Sequence, residues 1–153
     1  MRISLILATV SLVSVAMSAQ TTEKPDLTGK WQLDAERTRF GKLPQPKDLV
    51  IQIEHQEPQI RLITLMNNGA VRETLELTTD GKQYPHPVQG KECMASAAWD
   101  EWTGTRLRVE VNCPGSSSTR RFAAGTKGKI LTTVLTVKDR SGEKKAYEFF
   151  FRE

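Results

Sequence analysis

The residues of this chain that could do chemistry are two histidines, two cysteines, an arginine pair and a scatter of carboxylates. His55 sits beside Glu54 and Glu57 near a strand end, and His86 lies in the stiff stretch YPHPV. A zinc site needs three or four converging ligands. Two distant histidines with no short spacing motif do not supply them, so both read as solvated strand-end or loop residues. No metal or other cofactor is expected; haem ligation by one histidine has no motif behind it. Nucleophilic hydrolysis would want Gly-x-Ser-x-Gly on a strained strand-to-helix turn. The stretch GSSST, Gly115 to Thr119, reads instead as a flexible turn into a strand. Carboxylates such as Glu92 with Asp100 or Glu101 could pair for acid–base work, but the spacing does not fix their separation. No catalytic residue is expected.

Arg120 and Arg121 form the densest positive spot of the folded part. Strand alternation sends adjacent side chains to opposite faces. One arginine is then solvated. The other either stays at a rim in water or points inward, where a buried cation needs a partner carboxylate or an anionic ligand.

Those residues are carried by a chain of 153 residues, 38% hydrophobic and 26% charged, which fits one globular domain and argues against disorder. The net charge of +4 is scattered along the sequence, without the clustered basic face, stacking aromatics or reading helix of a nucleic-acid binder. Residues 1–19 carry Arg2, an apolar run from Ile3 to Val15 and small residues at Ser18 and Ala19, the pattern of a cleaved signal peptide. The run is too short for a stable membrane span, which wants about twenty apolar residues. The mature protein is therefore expected to be exported, to the periplasm or the medium. In that setting Cys93 and Cys113 read as a disulfide.

After a linker at 20–27, residues 28–153 alternate in the strand manner almost to the end. DLVIQIEHQ, QIRLITLMN and AVRETLELTT are successive strands divided by Pro58 and by Asn67-Asn68-Gly69. Further strands follow at Cys93–Trp99, Arg106–Cys113, Thr119–Ala124, Ile130–Val137 and Ala146–Arg152, with a single helical turn near Ala35 to Arg39. About eight to ten short strands at this turn spacing make an all-β sandwich or barrel. A meander of so many twisted strands removes its edges best by closing on itself, which favours a single up-and-down antiparallel β-barrel.

Two registers can be tested against the pattern. Pairing Cys93 with Cys113 sets Ala95 opposite Val111, Ala97 opposite Val109 and Trp99 opposite Leu107, all apolar and all on one face. In the last hairpin, a three-residue turn at Ser141 to Glu143 sets Val137, Leu135 and Thr133 against Tyr147, Phe149 and Phe151. This turn is preferred over a two-residue one because a slip of register moves a whole hydrophobic face.

The ordered set LTGKWQLD, ERTRFGKLPQPK, TTDGKQYP, AAWDEWTGTRLRVE and LTVKDRSGEKKAYEFFFRE resembles small exported lipocalin-like proteins of the calycin superfamily, of acidobacterial type. The resemblance covers nearly the whole mature chain. It implies that Trp31 plugs one barrel end beneath Arg152 from the last strand, with Gly29 letting the backbone approach closely. The Arg-x-Tyr pair of fatty-acid-binding barrels is replaced by Lys145-Ala146-Tyr147, so carboxylate fixation on the last strand is not implied. The turn after AAWD is expanded, which puts Trp102 at a loop tip.

The function expected is non-covalent binding of a small, mostly hydrophobic molecule at the barrel mouth. Ile51, Leu75, Trp99, Val109, Leu135 and Phe149 are candidate cavity walls, and Arg120 and Arg121 the candidate cations. One alternative is a barrel filled by its own side chains that binds another envelope protein through Trp102 and the KLPQPK and YPHPV loops. Another is a barrel enzyme such as an isomerase.

Overall fold

The computed structural model describes residues 23–66 and 68–153; the segment read as a signal peptide, 1–19, lies outside them. Alternation of apolar and polar residues produces ten strands: β1 (Gly29–Leu33), β2 (Val50–Gln56), β3 (Gln59–Leu65), β4 (Val71–Thr78), β5 (Tyr84–Pro85), β6 (Met94–Trp99), β7 (Arg106–Cys113), β8 (Ser116–Ala124), β9 (Ile130–Asp139) and β10 (Gly142–Arg152). They form one antiparallel sheet in the order β4-β3-β2-β1-β10-β9-β8-β7-β6-β5. Every neighbour is thus a chain neighbour, except where β1 meets β10 and joins the two ends of the meander. Among the described residues the helical structure is one 3-10 turn, Thr126–Gly128. The helical turn read near Ala35 is a single closed turn, with the Thr38 N–H donating to Asp34 O at 3.1 Å.

The sheet curls until its edges almost meet. The seam is a short one: an isolated bridge pairs Asp80 with Ala98, and the Gly81 N–H donates to Ala97 O at 2.9 Å. Along the rest of β4 the edge has no β-ladder with β5 or β6. This makes a nearly closed up-and-down barrel with one open seam. Pro85 and Pro87 explain the break, because proline cannot donate to a ladder and confines its segment to an edge.

Large side chains fill one end, here called the base. Leu27, Trp31, Ile53, Ile60, Leu107, Leu131 and Phe150 are each at most 2% exposed. The Trp31 indole N–H donates to Leu27 O at 3.0 Å, which satisfies its polar atom inside the core. Leu27, in the stretch read as linker, is part of the core cluster. The Arg152 guanidinium stacks 4.7 Å from the Trp31 ring and donates to Thr28 O at 3.0 Å. Gly29 (φ +151°) lies beneath this stack: a Cβ there would sit 3.3 Å from Arg152 Nε and 3.4 Å from Trp31 Nε1.

The β6–β7 ladder has the register inferred from the cysteines, with Ala95, Ala97 and Trp99 opposite Val111, Val109 and Leu107. Cys93 and Cys113 are disulfide-bonded. The segment GSSST is ordered differently from the flexible turn expected: β8 begins at Ser116, directly after a two-residue Pro114–Gly115 turn.

The last hairpin corrects the sequence reading. Its turn is Arg140–Ser141, with Asp139 opposite Gly142, so Ala146, Glu148 and Phe150 face inward opposite Leu135, Thr133 and Leu131. Local turn chemistry decides the register. Asp139 Oδ1 accepts the Ser141 N–H at 2.7 Å and Oδ2 pairs with Lys144 at 3.2 Å, the aspartate-initiated turn that pins a short loop. Phe149, expected to line the interior, therefore lies on the outer face with Tyr147 and Phe151. It is partly covered there by the segment after β1. Arg37 stacks 5.0 Å from its ring, and its N–H donates to Thr38 Oγ1 at 3.1 Å.

Candidate functional site

The half of the barrel away from the base is not filled. It holds a cavity of about 560 Å³. The wall is mainly apolar and includes Ile51, Leu62, Leu75, Val109, Leu135 and Val137, each supplied by the inward row of a different strand or by a neighbour on the same row. Thr64, Glu73, Ser118 and Arg120 add polar groups, and His86–Gln89 form part of the boundary. Glu73 and Leu75 belong to the inward row of β4, opposite Thr64 and Leu62. Arg72 and Thr74, on the other face of β4, border the same void. The cavity thus passes round the free edge of β4 and meets solvent at the open seam. His86 Nε2 and Glu73 Oε1 approach to 3.7 Å across that seam.

One arginine of the 120–121 pair points inward, as alternation requires. Arg120 is opposite Val109 on β7 and Leu135 on β9, and its side chain is 21% exposed. Behind it stands Glu148, 3% exposed, with Arg120 Nε 3.2 Å from Oε2 and Nη2 donating to Oε1 at 3.4 Å. The Thr133 hydroxyl donates a short hydrogen bond to Glu148 Oε2. Arg120 Nε is buried and, despite the ion-pair distance, has no aligned hydrogen-bond acceptor. The carboxylate that an inward cation needs is therefore part of the protein. Arg121 is exposed on the outer face and lines no part of the cavity, because its neighbour takes the inward position.

A second polar cluster lies at the base. Glu57, in the β2–β3 turn, accepts hydrogen bonds from Trp99 Nε1 (2.6 Å) and Thr79 Oγ1 (2.8 Å) and pairs with Lys24 (3.0 Å). His55 completes the set. Its Nδ1 accepts the Leu27 N–H at 3.4 Å, so Nε2 carries the proton that bonds Glu57 Oε1 at 2.8 Å. Burial raises the Glu57 carboxyl, but the hydrogen bonds from His55, Trp99, Lys24 and Thr79 outweigh it and bring it to about 2. This cluster ties the N-terminal segment, the β2–β3 turn and β6 together. Trp99, expected on the cavity wall, belongs to it: its ring is at the base end of the inward row, where the indole N–H reaches Glu57.

Of the residues singled out in the sequence, Ile51, Leu75, Val109, Leu135 and Arg120 meet at the cavity, whereas Trp99, Phe149 and Arg121 do not. Trp31, Gly29 and Arg152 come together at the base. Glu148, Thr133, Glu73 and Thr64 were missed. Glu148 was hidden by the hairpin register, which had placed it on the outer face. The signal that finds it is Arg120 itself, since an inward guanidinium asks for an acid on a nearby inward row.

No protein-family model matches the chain, and no curated protein is similar to it in sequence. Solved structures do match in shape. A secretary abundant heat soluble (SAHS) protein from Ramazzottius varieornatus superposes with a TM-score of 0.63 at 13% identity, over 82% of this chain and 94% of that one. Human cRBP IV gives 0.60 at 13% identity, over 84% and 99%. The zebrafish ileal bile acid-binding protein complexed with cholic acid gives 0.59 at 14% identity, over 83% and 98%. At these identities the likeness is one of fold: the chain shares an antiparallel β-barrel with these proteins.

Proposed function

We propose that this protein is an exported lipocalin-like barrel that binds a small, mostly apolar molecule non-covalently, taking it up through the seam beside β4. The observation that carries the reading is the cavity: about 560 Å³, walled by aliphatic side chains with a few polar groups. That is the size and composition of small-molecule sites, which run from roughly 300 to 1,000 Å³. Two proteins of the same fold support it by what they are named for, a bile acid-binding protein complexed with cholic acid and cRBP IV. Export is supported by the N-terminal pattern in the sequence and by the disulfide, a bond that persists in oxidising compartments.

Native mass spectrometry of the protein recovered from its source organism tests the proposal. A stoichiometric mass increment that organic extraction removes is the expected result. A bare polypeptide mass, together with no saturable uptake of a neutral lipophilic dye, would overturn it. A second reading rests on Trp102, 96% exposed at the tip of the β6–β7 loop, an apolar side chain placed to meet another envelope protein. Loss of a co-purifying protein from Trp102→Ala, with dye uptake intact, would favour that reading.

A further inference from the structure

The interior polar groups also say what kind of molecule the cavity takes, if it is a binding site as proposed above. We infer that it selects an apolar molecule bearing an uncharged hydrogen-bonding group, such as a hydroxyl, ester or amide, and discriminates against the corresponding carboxylate. The charge balance carries this. Arg120 is a cation on the cavity wall, but its charge is already neutralised by Glu148 at 3.2 Å, buried behind it at 3% exposure. Glu73 adds a negative charge to the inward row of β4, faced by His86 at 3.7 Å, and Arg72 flanks it from the outer face. Lys144, on the inward row of β10, is engaged by Asp139 at 3.2 Å. Around the void the positive charges of Arg72 and Arg120 are balanced by the negative charges of Glu73 and Glu148, so the wall offers an incoming anion no net positive charge.

A carboxylate reaching Arg120 would bring a second negative charge to one guanidinium beside Glu148. Like charges at such range in a poorly solvated site are disfavoured, and the incoming group would lose its water as well. An uncharged oxygen meets no such opposition. The Arg120 guanidinium shares the cavity wall with the hydroxyls of Ser118 and Thr64, so hydrogen-bonding capacity remains where net charge does not. The pair therefore polarises the site without making it cationic.

The test uses the full mature protein and Nile red as the probe, displaced at neutral pH by a long-chain fatty alcohol or by the fatty acid of the same chain length. The alcohol should compete about tenfold more tightly or better, since a buried like-charge contact is a strong means of discrimination. A fatty acid competing as well as the alcohol overturns the selectivity while leaving the binding reading intact. Failure of Nile red and of both lipids to bind overturns both.

Glu148→Gln then removes the neutralising charge and frees Arg120. The preference should swing toward the acid by about tenfold or more, in protein whose far-UV circular dichroism shows the barrel intact. An unchanged preference would sink the assignment to this pair. If that variant does not fold, the Arg120→Met/Glu148→Gln double variant, which leaves no interior charge at the pair, should keep the preference for the alcohol; preference for the acid would contradict the inference.

Discussion

Replacing Phe150 and Phe149 by alanine one at a time tests the architecture most directly, because adjacent residues of one strand face opposite ways. Phe150 is 1% exposed, within the core cluster that contains Trp31 and Leu131. Truncating a phenylalanine at such a site costs about 3–5 kcal/mol, the lost transfer energy plus the cavity left behind. Phe149 is half-buried on the outer face, and truncation there leaves an open groove with no enclosed void. Half of a full side-chain burial is worth about 1 kcal/mol, and the Arg37 stack at 5.0 Å adds roughly 0.5–1 kcal/mol. The two variants should therefore differ by about 2 kcal/mol. At this chain size that is roughly 8 °C in Tm. Urea unfolding followed by tryptophan fluorescence and by circular dichroism reads the difference as a shift of midpoint at constant slope. If Phe149→Ala proves as damaging as Phe150→Ala, the hairpin register is wrong, and the inward position of Glu148 falls with it.

Replacing Cys93 and Cys113 together by alanine should lower stability by about 3 kcal/mol, the chain-entropy value for a loop of 20 residues; an unchanged urea midpoint would contradict it. The Glu57 cluster should give stability a distinct acid limb. Its folded-state value, about 2, lies below the ordinary 4.5, so its contribution is complete above about pH 4.5 and drains as pH falls toward 2. Glu57→Gln should be less stable at neutral pH, and its Tm should fall less steeply across that acid window. Parallel pH profiles of wild type and variant would refute the role given to the carboxyl.

The meander was legible in the sequence because its strands alternate and its connections are short, and those two facts leave few topologies open. The β6–β7 register was legible too, since placing the two cysteines opposite each other leaves a single alignment, and that one sets six apolar residues on the same face. The last hairpin was not. Tyr147, Phe149 and Phe151 are larger and more hydrophobic than Ala146 and Glu148, so hydrophobicity alone puts the aromatics inside. What overrides it is the Asp139 turn, a local preference, and the segment from Asp34 to Phe40, which folds back over the aromatic row and bridges Arg39 to Tyr147. A strand with a cover on its outer face no longer shows which of its faces is the core. The same misreading concealed Glu148, and with it the polar partner of Arg120.

Once the registers are known, the position of the cavity follows from side-chain size. From base to mouth, the inward row of β10 runs Phe150, Glu148, Ala146; that of β8 runs Phe122, Arg120, Ser118; and that of β6 runs Trp99, Ala97, Ala95. Each row tapers the same way, so the base packs solid while the upper half cannot fill. The ion pair stands at the boundary between the two. A buried pair of this kind seldom stabilises a fold relative to apolar residues of similar volume. Set at the floor of a void that the packing creates, the pair is the group that the polar end of the proposed ligand would meet first.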